Sequence, residues 1–173
     1  QGGPGGECPR PCSPTSDGWI AEAIKHFRIV LPDQRGCGRS GRMSGKAIDA
    51  LGARAAAAGA DAARAQADLL KRYLASSIVR DFEYLRLTQF GGKRWVSLGQ
   101  SYGGFLTLTY LSLFPAGLAA CFTCGGIPHV PASAADVYAH TFPRMATKTH
   151  QYYDRYPQDV ERVAALADAL AAA

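Results

Sequence analysis

The chain has 173 residues, 47% of them hydrophobic and 19% charged, the balance of one soluble globular domain able to bury a core. No run reaches the roughly eighteen uncharged apolar residues that a membrane span requires, since the apolar stretch 105–120 is broken by Thr107, Thr109, Ser112 and Pro115. A net charge of +5 from 19 basic and 14 acidic residues is concentrated between Arg28 and Arg54, but Arg35, Arg39 and Arg42 stand among glycines without interleaved aromatics. That pattern argues against a nucleic-acid face and for a polar loop whose arginines bond to carbonyls and nearby acids.

Residues 1–18 are rich in glycine, proline and serine and read as loop, with Ser16 or Asp17 capping a short amphipathic helix over 19–26. The run 27–31, with β-branched Ile29 and Val30 and a terminating Pro32, predicts a buried strand, followed by the loop DQRGCGRSG. Alanine dominates 53–67, which reads as a surface helix or a mobile insertion. A better-anchored helix is predicted over 77–90, with Ile78, Phe82 and Leu85 as its core face and Gly91-Gly92 as its stop. Residues 95–98 then form a second strand, GQSYGG a turn, and 105–114 a helix ended by Pro115. A third strand-like run, 118–124, ends at Gly125-Gly126. After it the chain turns to aromatics, histidines and helix formers, and Val160, Val163, Leu166 and Leu170 give the last helix one apolar face behind Pro157.

Strands alternating with helices predict an α/β fold on a mostly parallel sheet flanked by helices, with functional loops at the carboxyl ends of the strands. Those ends carry DQRGCGRS, GQSYGG and CGGIPH. Five cysteines form no closed disulfide framework. Cys121 and Cys124 have the spacing of a metal or redox pair that Cys8 and Cys12 could complete. The second pair lies in an apolar run, where cysteine serves as a small buried hydrophobe, so neither a metal nor another cofactor is expected.

Gly99-Gln100-Ser101-Tyr102-Gly103 fits a nucleophile elbow, a turn between strand and helix so tight that flanking side chains must be minimal. The glycines, with Gly104 behind them, let the backbone bend while Ser101 projects its hydroxyl toward a base. The following helix aims its amino-terminal N–H groups at the reacting centre. Alone the pattern is weak, but the required strand precedes it and the required helix follows. Acyl transfer also needs two donors for the developing oxyanion. The residue after the nucleophile, Tyr102, supplies one, and a glycine-rich loop earlier in the chain supplies the other. QGGPGG at residues 1–6 is such a loop.

The segments QGGPGG, DQRGCGRS, SIVRDFEYLR and GQSYGG, in this order, resemble the prolyl aminopeptidase (proline iminopeptidase) family of α/β-hydrolase serine peptidases, from Gln1 to about Gly126. The resemblance implies Ser101 as nucleophile and the backbone N–H groups of Gly3 and Tyr102 as oxyanion hole. It implies a metal-free enzyme that releases an amino-terminal residue, proline foremost, from a short peptide with a free amino terminus. Gln1 departs from the histidine many relatives carry. Glutamine-type loops also occur in neighbouring tripeptidyl-aminopeptidase-like enzymes, which leaves the length of the released peptide open. Asp33 and Arg35 resemble the family's structural loop. Residues 1–127 would be a partial α/β-hydrolase core, truncated at both ends, and 128–173 the start of a helical cap.

A serine hydroxyl needs a histidine base, and the histidine an orienting acid, in the order Ser, acid, His. After Ser101 the chain offers Asp136, Asp154, Asp159, Glu161 and Asp168 with His129, His140 and His150. Asp136 with His140 or His150 has the right order, but both histidines fall in the cap-like stretch. His129, past a strand end, suits a cleft wall better than catalysis, and Tyr138, Tyr152, Tyr153 and Tyr156 suit packing between cap helices. The expectation is an internal piece of a cytoplasmic enzyme whose acid and base lie beyond Ala173, inactive in isolation. An esterase or other acyl hydrolase of the same fold, and a non-catalytic binding remnant, stand as alternatives.

Overall fold

The computed structural model describes residues 3–10 and 18–172. Gln1, Gly2, Cys12 and the capping candidates Ser16 and Asp17 lie outside them. The chain divides into two compact units, Gln1–Ile127 and Pro128–Ala173.

In the first unit, helix α1 (Gly18–Ala23) precedes two helices where one was expected, α2 (Gly45–Ala57) and α3 (Ala62–Lys71). The Ser44 side chain accepts the Ala47 N–H and starts α2 well before the alanine-rich run. Gly59, at φ 74°, ends it, and Asp61 caps α3 by accepting the Arg64 N–H. Propensity favours helix throughout 53–67, but a left-handed glycine followed by a capping aspartate outweighs it locally.

Helix α4 (Ala75–Gln89) stops before Gly91 and Gly92, both at positive φ. Strand β1 (Trp95–Gln100), helix α5 (Tyr102–Leu113), a single 3₁₀ turn (Pro115–Gly117) and strand β2 (Leu118–Cys124) follow. β1 and β2 pair in parallel, Leu98 opposite Phe122 and Gln100 opposite Cys124, with α5 as the crossover. Val79 of α4, Tyr110 of α5 and Leu118 of β2 form the core cluster, joined by Phe82, Trp95, Leu106, Phe114 and Cys121. The buried positions of α4 are thus Ile78, Val79 and Arg86 as well as the half-buried Phe82 and Leu85.

The predicted buried strand at 27–31 is corrected. These residues make no sheet pairing, Phe27 is 58% exposed, and Ile29, Val30 and Leu31 are only half-buried. They border a cavity of about 1160 Å³ that Trp95, Val96, Leu98 and Gly99 also line. β-Branched composition favours extended backbone, yet a strand exists only where a neighbour takes its hydrogen bonds. Among the described residues the sheet has two strands.

The DQRGCGRS loop that follows is held by its own charges. The Asp33 carboxylate accepts from the Cys8 N–H at 2.7 Å, the Arg39 N–H at 2.9 Å and the Arg10 guanidinium. These bonds hold it below the usual carboxylate range. Arg35 forks onto Asp81 of α4 at 2.5 and 2.6 Å and donates to the Arg72 carbonyl at 2.6 Å, which fastens the loop to the helical layer.

The second unit consists of α6 (Ala134–Arg155) and α7 (Asp159–Ala171). Ser133 and Asp136 form a reciprocal capping box at the start of α6, which carries Pro143 in its interior. At the α6–α7 corner the Tyr152 hydroxyl donates to Asp159 at 2.6 Å, and the Tyr152 ring meets those of Tyr153 and Tyr156. The expected apolar face of α7 is present but uncovered, with Val160, Val163, Leu166 and Leu170 all exposed. Among the described residues no helix is long and apolar enough to cross a membrane.

Candidate active site

β1 runs straight into α5, and the junction residue Ser101 has φ 52° and ψ −120°. Among the described residues it is the one non-glycine at positive φ. That region is costly for a residue with a Cβ, by about 1–3 kcal/mol, and persists only where surrounding contacts impose it. Here they can be named. The Ser101 N–H donates to the Cys124 carbonyl at the end of β2, 2.8 Å away, and the Ser101 carbonyl accepts the Gly104 N–H at 2.9 Å.

The glycines are sterically required. A Cβ on Gly99 would lie 1.9 Å from the Gly103 carbonyl oxygen, and one on Gly104 would lie 2.4 Å from the Gly126 carbonyl oxygen. Gly103, Gly104 and Gly126 are buried, whereas Gln100 and Ser101 are exposed. Ser101 occupies the cap position of α5 without using its side chain as a cap. Its hydroxyl is therefore left at the surface, over a helix amino terminus.

As the first residue of α5, Tyr102 has an N–H with no acceptor inside the helix. Its ring stacks on Phe105 with centroids 6.4 Å apart, and burial raises its phenol pKa. The expected second donor, Gly3, lies in an exposed loop at φ 116°. Among the described residues no hydrogen bond links this loop to the elbow. They share a cavity, bordered by Gly6 on the loop side and by Gly99 and Gly103 on the elbow side.

Behind the elbow, the Ser97 hydroxyl of β1 meets the buried Thr107 hydroxyl of α5 at 2.8 Å, fixing strand against helix. One turn further, Glu83, Arg86 and Tyr110 form a buried polar network. Arg86 contacts both Glu83 carboxylate oxygens at 2.7 and 2.8 Å, and the Tyr110 hydroxyl donates to Glu83 at 2.7 Å. Arg86 also donates to the Gly92 carbonyl and, at 3.1 Å, to that of Lys93. The Arg86 hydrogen bonds hold Glu83 below its ordinary range against the opposing effect of burial. Burial, reinforced by the Glu83 carboxylate, pushes the Tyr110 phenol up. Sequence periodicity gave no sign of this network, because a buried arginine at a helical position reads as a surface residue.

The histidine candidates are all exposed: His129, His140 and His150. The Asp136 carboxylate is engaged by the Ser133 N–H and hydroxyl, and His140 Nδ1 lies 2.9 Å from the Asp136 backbone carbonyl rather than its carboxylate. Asp136 is thus a helix cap. Cys8 is buried with its thiol on the Pro32 carbonyl at 3.0 Å, Cys121 is half-buried and Cys124 is exposed. Among the described residues no three His, Cys, Asp or Glu side chains gather as a metal site would require.

Residues 1–167 match the alpha/beta hydrolase fold family. Over 157 residues the chain is 41% identical to a proline iminopeptidase of Aeromonas sobria, covering 91% of this chain and 34% of that protein. Over 169 residues it is 32% identical to the proline iminopeptidase aneH of Aspergillus aculeatus, covering 94% of this chain and 35% of that protein. The chain spans about a third of the length of these curated relatives. The strand, strained serine and helix therefore sit in a chain that belongs to the alpha/beta hydrolase fold family and, within it, resembles the prolyl aminopeptidases.

Proposed function

We propose that the full-length protein is a serine aminopeptidase that releases an amino-terminal residue, proline foremost, through an acyl-enzyme on Ser101. The observation that carries this reading is the positive φ of Ser101 at a strand-to-helix junction, within a chain similar to two proline iminopeptidases. Ser101 Oγ attacks the scissile carbonyl as its proton passes to a histidine. The Tyr102 and Gly3 N–H groups hold the resulting oxyanion, and the protonated histidine returns the proton to the leaving amine. Water then attacks the acyl-enzyme, aided by the same base, and regenerates the serine. The histidine and its acid come from the remainder of the full-length protein, and residues 128–173 begin a helical cap domain. No metal takes part.

The test is the rate of the full-length protein on a proline arylamide and on a short acyl ester, with and without Ser101→Ala. Cleavage of the arylamide, lowered by about 10⁴-fold or more in the variant, is the expected result. Hydrolysis of the ester alone would assign the site to an esterase and overturn the peptidase reading.

A further inference from the structure

Two residues past the end of β2, buried Gly126 lies against the elbow. A Cβ on Gly126 would sit 1.9 Å from the Ser101 carbonyl oxygen, 2.9 Å from the Ser101 carbonyl carbon and 3.1 Å from the Gly104 Cα. From the helix side, a Cβ on Gly104 would meet the Gly126 carbonyl oxygen at 2.4 Å and its Cα at 2.9 Å. Every atom in these contacts is backbone, so no side-chain rotation could relieve them. The exit of β2 therefore touches both peptide groups of Ser101: the Cys124 carbonyl takes its N–H, and Gly126 packs on its carbonyl.

We propose that Gly126 is a positioning residue for Ser101. The bare backbone of the β2 exit packs on the serine's peptide and keeps the Ser101 backbone at positive φ, with its hydroxyl outward. The inference rests on Ser101 being the nucleophile but assigns a role to a residue remote from it in sequence. A strained residue relaxes unless its surroundings over-determine it. The contacts that do so here come from β2 as much as from the elbow's own glycines. A methyl at 126 has to displace the Ser101 peptide by an appreciable fraction of the gap between 1.9 Å and ordinary contact. A displacement on the order of 1 Å at a nucleophile costs about 100-fold in rate.

Gly125 provides the control. It has φ 60°, and a Cβ there would meet nothing within 4 Å. Gly125→Ala therefore strains the turn without pressing on Ser101. In the full-length protein, Gly126→Ala is expected to melt cooperatively at a lowered temperature and to keep a KM for proline arylamide within a few-fold of wild type, while kcat falls about 100-fold. Gly125→Ala is expected to lower the melting temperature and leave kcat within a few-fold. A purely structural role would make the two variants alike, with kcat per folded molecule unchanged, and that result overturns the proposal. If Gly126→Ala does not fold, Gly104→Ala loads the same contact from the helix and is read by the same split. Failure of both to fold also overturns the proposal, because the contact would then serve the fold rather than the serine. Ser101→Ala, run alongside, separates the two levels. Full activity in it defeats the aminopeptidase reading, whereas an inactive Ser101→Ala beside a Gly126→Ala with wild-type kcat defeats the positioning role alone.

Discussion

A methyl group on Gly99 would lie 1.9 Å from the Gly103 carbonyl oxygen, 2.2 Å from its carbon and 2.7 Å from the Gly104 nitrogen. Nothing flexible can yield there, so Gly99→Ala is expected to destabilise the fold by about 3 kcal/mol or more, measured as a shift of the denaturant midpoint at unchanged slope. An elbow that tolerated alanine with no midpoint shift would mean that strand and helix are further apart than these contacts require. The need for glycine at 99 was legible in the sequence, because the motif states it. The need at 126 was not, because nothing in a glycine pair at a strand end says which backbone it will press against.

Between elements, the Glu83–Arg86–Tyr110 network joins α4 to α5, with the Arg86 and Glu83 side chains 7% and 13% exposed. Glu83→Gln leaves a buried guanidinium without its counter-charge and is expected to cost about 3 kcal/mol at neutral pH. The sign of the pH dependence follows from the depressed carboxyl. Glu83 is more acidic folded than unfolded, so its contribution is complete above the ordinary carboxylate value and is lost as pH falls through the lower folded one. The stability gap between wild type and Glu83→Gln should therefore narrow on acidification in urea titrations. A gap constant down to strongly acidic pH would show that the Glu83 carboxyl titrates alike in the folded and unfolded chain. Tyr110 runs the other way. Its phenol pKa is raised in the fold, so the contribution of its hydrogen bond to Glu83 is complete below the ordinary tyrosine value and is lost as pH rises through the higher folded one. The helix pattern of α4 was predictable from Ile78, Phe82 and Leu85. That Val79 and Arg86 are buried beside Ile78 depended on where α5 and the 3₁₀ turn came to lie. The split of α2 from α3 depended on Gly59 and Asp61, whose turn geometry the surrounding alanines concealed.

Over the whole molecule, apolar surface is left unpartnered. Leu98 and Phe122, opposite one another across the sheet, are 45% and 56% exposed, and both line the cavity that residues 27–32 also border. Parallel sheets ordinarily have both faces covered, and a bare apolar face promotes association. The 173-residue chain is expected to sediment as a concentration-dependent oligomer, and the double variant Leu98→Lys/Phe122→Lys to move it toward monomer. A monomeric wild-type chain would show that this face is not what associates. The same chain alone is expected to give no Ser101-dependent turnover of proline arylamide, and a measurable rate would mean that the base lies within these residues.

The sequence by itself determined the order of elements from 75 to 124, the elbow with its nucleophile candidate, and the last helix behind Pro157, since periodicity, glycine placement and capping are local properties. Only the tertiary structure decided that 27–31 runs without a sheet partner, that an arginine is buried behind α5, and that Ser101 is held partly by Gly126. Each of these depends on which distant backbone takes up a hydrogen bond or fills the space beside a residue, and spacing along the chain does not encode it.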